Sequence, residues 1–285
     1  MKKIRLILMS VVTALLVSCG TTSTVPVTGR KQTLLVSDEQ VLSLSNQQYS
    51  EYMATAKAST NATNTAMVKR VGQRIASAVE TYLKNNGLAD EVNSYAWEFN
   101  LVQDTQVNAW CLPGGKIVVY EGILPVTQDE ASLAIVLGHE VAHAVAKHSA
   151  ERLSNAYKEQ YGAAALSAIL SGAGVGQGTQ QLISLGHQLG GQLFTSGFSR
   201  KQESEADHMG LIFAAMAGYD PQVATAFWQR MAQLGNSSNS LFSDHPSDET
   251  RIQQIQGWMP EALKYYTPPT TKKTTTTKKK TTTKK

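Results

Sequence analysis

Apolar residues recur every three or four positions over most of the chain, and every second position only in its middle. Met67, Val71, Ile75, Val79 and Leu83 form an i, i+4 stripe, and Gly87 follows as a stop. This predicts a helix over 65–86. Ser37-Asp38-Glu39-Gln40 has the form of a helix start, with a helix over 38–57. Thr127 with Glu130 three residues on reads as a capping box for a long apolar helix reaching about Lys147. Further helices are expected over 200–217, stopped by Gly218, over 221–234, opened by Pro221, and in a short piece ending near Trp258. Three strand-like runs, 95–102, 105–112 and 116–120, surround the turn residues Pro113-Gly114-Gly115. The stretch 161–198 is rich in Gly, Ala, Leu and Gln, and its apolar runs are too short to span a bilayer. No internal repeat is visible. The expected class is α+β, mainly helical with one small sheet.

The two ends differ from this body. Lys2, Lys3 and Arg5 precede an apolar run from Leu6 to Val17, the layout of an export signal. Leu16-Val17-Ser18-Cys19 resembles the bacterial lipobox, which implies a signal peptide over 1–18 and lipidation of Cys19. A polar linker is expected over 19–36, a single folded domain over 37–266, and a disordered Thr/Lys tail over 267–285. The tail and the signal carry ten positive charges and no acid, so the +4 of the whole chain becomes −6 for residues 20–266. A basic footprint for nucleic acid is therefore not expected. If Cys19 is lipidated, Cys111 has no partner for an intramolecular disulfide and reads as a small apolar filler on a strand.

The chemistry concentrates in His139-Glu140-Val141-Ala142-His143. On a helix, His139 and His143 share a face and can offer two imidazoles to one metal ion. Glu140 lies one residue round, within reach of a metal-bound water as general base. The flanking Leu133, Ile135, Val136, Leu137, Val141 and Val145 leave only the motif polar. Burying two histidines and a glutamate is costly unless something binds them. A third ligand is needed. Spacing favours Glu203 narrowly over Glu205, with His187 and His208 as outsiders. Asp207 shares a face with Glu203 and could fix the tautomer of a liganding histidine. His148 and Glu205 are expected to point elsewhere, Glu205 into solvent.

HExxH in one long helix and ExxxD in a second, some sixty residues on, resemble the zinc metallopeptidases of family forty-eight. That gluzincin family includes the CAAX prenyl protease, HtpX, BepA and LoiP, and the absence of long apolar spans resembles the LoiP-like lipoprotein branch. Val107 to Tyr120 is similar to the family's NAF-x-x-PGG strand pair, and Thr195 to Asp207 to its SR-x-x-E-x-x-AD segment. Gly218-Tyr219-Asp220-Pro221, His245-Pro246 and Arg251 also fit. The resemblance implies a gluzincin domain with a substrate-binding edge strand, one zinc ion per chain on His139, His143 and Glu203, and Asp207 behind them. It also implies substrate binding at Asn108 and Ala109. For His245 three roles stay open: an oxyanion donor, a gating fourth ligand, or a helix-entry residue. Arg251 is expected to steady the His245 loop, to bind substrate carbonyls, or equally to be a structural salt-bridge partner.

The expected function is zinc-dependent endopeptidase action on misfolded or misassembled envelope proteins. The expected location is a bacterial envelope, anchored through Cys19, with the outer membrane preferred. The rival expectation is an assembly lipoprotein built on an inactive protease fold. The intact set His139, Glu140, His143, Glu203 and Asp207 argues against that rival. Oligomeric state is not legible.

Overall fold

The computed structural model describes residues 21–159, 198–234 and 250–268. Cys19, His187, His245 and nearly all of 161–198 lie outside these residues, as does the Thr/Lys tail from 269 on.

The stretch 19–36 was expected to form a polar linker. Instead β1 (Thr21–Thr24) and β2 (Lys31–Leu34) pair antiparallel. The turn places Val27 and Gly29 at positive φ. The reason lies in three apolar side chains, Val25, Leu34 and Val36, which are buried against the domain. A polar composition hid how few apolar contacts such a hairpin needs.

Helix α1 (Asp38–Met53) starts as expected, with the Ser37–Gln40 capping box formed on both sides. Helix α2 (Ala62–Asn85) begins three residues before the predicted start at 65 because the Asn61 side chain accepts from the Asn64 N–H. Gly87 at φ 76° ends it. The strands are β3 (Glu98–Val102), β4 (Ala109–Leu112) and β5 (Lys116–Tyr120), in the order β3-β5-β4. β3 runs parallel and β4 antiparallel to β5. Among the described residues β4 pairs with β5 alone, so its outer backbone edge is one rim of the sheet.

The expected Thr127–Glu130 capping box is replaced. Thr127 closes a one-turn helix, α3 (Leu124–Thr127), and Gln128 breaks the chain at φ 67°. Asp129 then caps α4 (Glu130–Val145), accepting from the Ser132 N–H at 2.7 Å. Every residue of α4 from Ser132 to Val145 is buried, so amphipathic reading fails on this helix and only its motif stands out as polar. After a break at Ala146 and Lys147, helical backbone resumes over 148–159. Helix α5 (Arg200–Met216) opens with a second complete capping box, Ser199–Gln202. Helices α6 (Val223–Gln233) and α7 (Arg251–Ala262) follow, and α7 continues past Trp258 through Pro260. Among the described residues no helix is long and apolar enough to cross a membrane.

The main core joins α2, the inner face of the sheet, α4, α5 and α6. A smaller cluster on the other face of the sheet holds Leu34, Val41, Leu44, Trp110, Val118 and Leu153. The two motif-bearing helices, α4 and α5, cross at glycines. A Cβ built on Gly138 would lie 2.5 Å from the Gly210 carbonyl oxygen, and one on Gly210 would lie 2.6 Å from the His139 nitrogen. Only hydrogen at both positions lets the backbones meet this closely.

Candidate metal centre

The close crossing brings α4 and α5 within side-chain reach of a common point. His139 Nε2 and His143 Nε2 are 3.1 Å apart. Glu203 Oε2 is 3.4 Å from His139 Nε2, and Glu203 Oε1 is 3.5 Å from His143 Nε2. The three ligand atoms lie within 4.8 Å of one another, and all three residues are buried. Of the third-ligand candidates, the structure brings Glu203 to this point. His208 pairs instead with Glu261 at 2.8 Å.

Each histidine is held from behind by its other ring nitrogen. His139 Nδ1 lies 2.8 Å from Asp207 Oδ1, as the shared face of Glu203 and Asp207 required. His143 Nδ1 lies 2.9 Å from His148 Nδ1, whose Nε2 is 3.0 Å from Glu205 Oε2. Both Nδ1 atoms are thus engaged, and both Nε2 atoms turn to the shared point. That is the arrangement in which neutral imidazoles ligate a metal. Burial works against charge on His139, yet Asp207 and Glu203 push its pKa up to about 9. The site therefore favours positive charge at the point where the ligand atoms converge. Two imidazoles and one carboxylate, leaving a position for water, form a donor set suited to zinc.

Two expectations are corrected here. His148 does not point away, because the helix breaks before it: Lys147 adopts φ 57° and turns the next residue back under His143. No glycine or proline marks that break, so the sequence carried no sign of it. Glu205 is not solvated. It is 7% exposed and accepts from Arg30 Nε at 2.7 Å and from the Thr28 hydroxyl. Burial raises its pKa, and His148, Thr28 and Arg30 more than offset this, holding it down to about 2.

Of the roles open to Arg251, substrate binding among them, the structure places it as a structural salt-bridge partner. It is 5% exposed, its Nη2 donates to Asp207 Oδ1 at 2.6 Å, and its guanidinium lies 3.4 Å from the centroid of the Trp228 ring. Trp228 in turn meets the edge of His139. Arg251 thus anchors the residue that orients a ligand. Replacing Arg251 with Ala leaves a buried carboxylate short of its counter-charge, and should lower stability by roughly 3–5 kcal/mol. Urea unfolding checks this. A variant of unchanged stability with a raised KM would restore the substrate-binding role.

Glu140 is 2% exposed, one residue round α4 from His139. The helix that carries it packs against β4, where burial first, and the Glu140 charge after it, push the Cys111 thiol well up, so Cys111 is an inert core residue. Asn108 and Ala109 stand at the start of that strand. Asn108 Oδ1 accepts from the Ala109 N–H at 2.8 Å, and the Asn108 carbonyl accepts from Tyr120 at 3.1 Å.

Comparison with known proteins agrees with this geometry. Residues 62–259, well over half of the chain, match Peptidase family M48. The chain is 38% identical over 202 residues to mitochondrial metalloendopeptidase OMA1 of Schizosaccharomyces pombe, covering 70% of this chain and 54% of the relative. It is 35% identical to the OMA1 of Arabidopsis thaliana, over 64% of this chain and 36% of the relative. Metalloprotease LoiP of Escherichia coli is 29% identical, over 80% of this chain and 84% of the relative. The chain spans about half the length, or less, of these mitochondrial relatives. They overturn the expected location in a bacterial envelope: the mitochondrial relatives from Schizosaccharomyces pombe and Arabidopsis thaliana, at 38% and 35%, match at higher identity than the bacterial LoiP at 29%. The expectation rested on residues 1–19, which lie upstream of the matched stretch 62–259. The HExxH helix, the carboxylate helix crossing it and the match over 62–259 agree: this chain belongs to peptidase family M48.

Proposed function

We propose that this chain is a zinc metalloendopeptidase acting on extended segments of unfolded or misassembled proteins. The observation that carries the reading is the convergence of His139, His143 and Glu203 on one point, with Glu140 the next residue after His139 on the same helix. A zinc ion held by those three residues would supply Lewis acidity toward a water and a scissile carbonyl. The chain's own residues do the rest. Glu140 takes a proton as the water oxygen bonds to the carbonyl carbon, then delivers it to the amide nitrogen as the C–N bond breaks. Asp207 and His148 keep the two imidazoles aimed throughout. The rim of β4, next to α4, supports substrate binding: an extended peptide can pair with it through main-chain hydrogen bonds, with little demand on its sequence. In this reading Asn108 and Ala109 begin the strand that receives the peptide.

The test is metal removal and return on the full chain, with unfolded casein as substrate. Dialysis against a chelator should abolish cleavage, and one equivalent of zinc per chain should restore it. Cleavage that persists at the original rate after zinc is shown to be gone would overturn the assignment.

A further inference from the structure

We propose that His148 is a positioning residue for the metal ligand His143, and that the N-terminal hairpin locks it in place through Arg30 and Glu205. The proposal rests on the metal site assigned above and extends it to residues outside the stretch that matches the family, since the hairpin lies upstream of residue 62.

The tautomers follow from the distances. For His143 to present a bare Nε2 to a metal, its Nδ1 must carry the proton. Its neighbour at 2.9 Å is His148 Nδ1, which must therefore accept and hold no proton. His148 then carries its proton on Nε2 and donates it to Glu205 Oε2 at 3.0 Å. Glu205 is in turn fixed by Arg30 Nε at 2.7 Å and by the Thr28 hydroxyl. Arg30 also donates to Glu151, with Nη1 at 2.7 Å and Nη2 at 2.9 Å from its two oxygens, and Nη2 reaches Gln32 Oε1 at 3.4 Å. Gln32 on β2 donates to the Ala146 carbonyl at 2.8 Å, pinning the helix end from which His148 departs. His148 is fully buried, so solvent does not take over the role of Glu205. His139 reaches its carboxylate directly. His143 reaches one through a second imidazole, and the outermost link of that chain belongs to the hairpin. A carboxylate placed this way makes the ligating nitrogen more basic and fixes its direction.

The test is zinc affinity of the full chain, measured by competition with a chromogenic chelator, beside the absorption spectrum of the Co2+-substituted chain. His148→Ala should weaken zinc by about 10- to 100-fold and shift the Co2+ ligand-field bands. A merely structural loss would lower the amount bound without moving them. His148→Asn retains an acceptor where Nδ1 stood and should recover part of the affinity. Arg30→Ala should weaken zinc in the wild-type background and add little in His148→Ala, because the two act along one chain. Wild-type affinity in His148→Ala, or an Arg30→Ala cost of equal size in both backgrounds, overturns the proposal while leaving the peptidase reading intact. Should His148→Ala fail to fold, Glu205→Gln decides: weakened zinc with shifted bands supports the proposal, and an unchanged site overturns it. A wild-type chain that takes no zinc overturns the metal reading and this one together.

Discussion

Glu140→Gln removes peptide cleavage by at least about 10²–10⁴-fold, the range attached to a positioned general base, and leaves zinc bound at one per chain. The substitution keeps the shape of the side chain and deletes only its basicity. None of the three ligand atoms belongs to Glu140, and the outward partners of His139 and His143 are Asp207 and His148, so the metal site stays assembled. Glu140 is almost fully buried, and a neutral amide is easier to bury than a carboxylate, so the variant should fold at least as well as the parent. Zinc content, urea unfolding and casein cleavage on the same preparation separate the outcomes. Intact fold and zinc with lost cleavage assign the base. Cleavage at the parental rate would move that role to another residue.

How much of this was legible in the sequence differs between the two helices. The motif in α4 showed itself because its histidines and glutamate are the polar exceptions in a helix that is otherwise apolar. Glu203 and Asp207 were legible together, since four-residue spacing fixes a shared face and one partner constrains the other. His148 was misread because its spacing was judged on a continuous helix, whereas the chain breaks at Lys147, a residue whose type gives no warning of a positive φ. Glu205 was misread as solvated because the hairpin that covers it, through Arg30 and Thr28, was itself unforeseen. Arg251 stayed open between substrate binding and a structural salt bridge because a resemblance identifies a residue and not the direction it faces. The β1–β2 hairpin escaped because its burial rests on three scattered apolar residues in a polar stretch.

The glycines at the helix crossing were equally silent, and they lead to the second large effect. Gly210→Ala should destabilise the chain by about 1–3 kcal/mol or more, the range for overpacking a filled core, and weaken zinc in step. In an open helix the same change has the opposite sign, since alanine is favoured over glycine by about 0.8–1.0 kcal/mol in helix interiors. Gly257 in α7 supplies that control: a Cβ there meets nothing within 4 Å, so Gly257→Ala should stabilise. At Gly210 the new methyl carbon would sit 2.6 Å from the His139 nitrogen and 2.7 Å from the Gly138 carbonyl carbon. Both are backbone atoms of α4, with no rotamer to escape into, so the helices must separate. His139 and His143 ride on α4, while Glu203 and Asp207 ride on α5. Separation therefore draws the third ligand and the carboxylate behind His139 away from the histidines at once. Gly138→Ala meets the Gly210 carbonyl oxygen at 2.5 Å and should behave alike. Unfolding midpoints and zinc affinities of the three alanine variants give the answer. A Gly210→Ala chain as stable as the parent would show that the site tolerates a wider crossing, whereas joint loss of stability and zinc ties the metal centre to the two absent methyl groups.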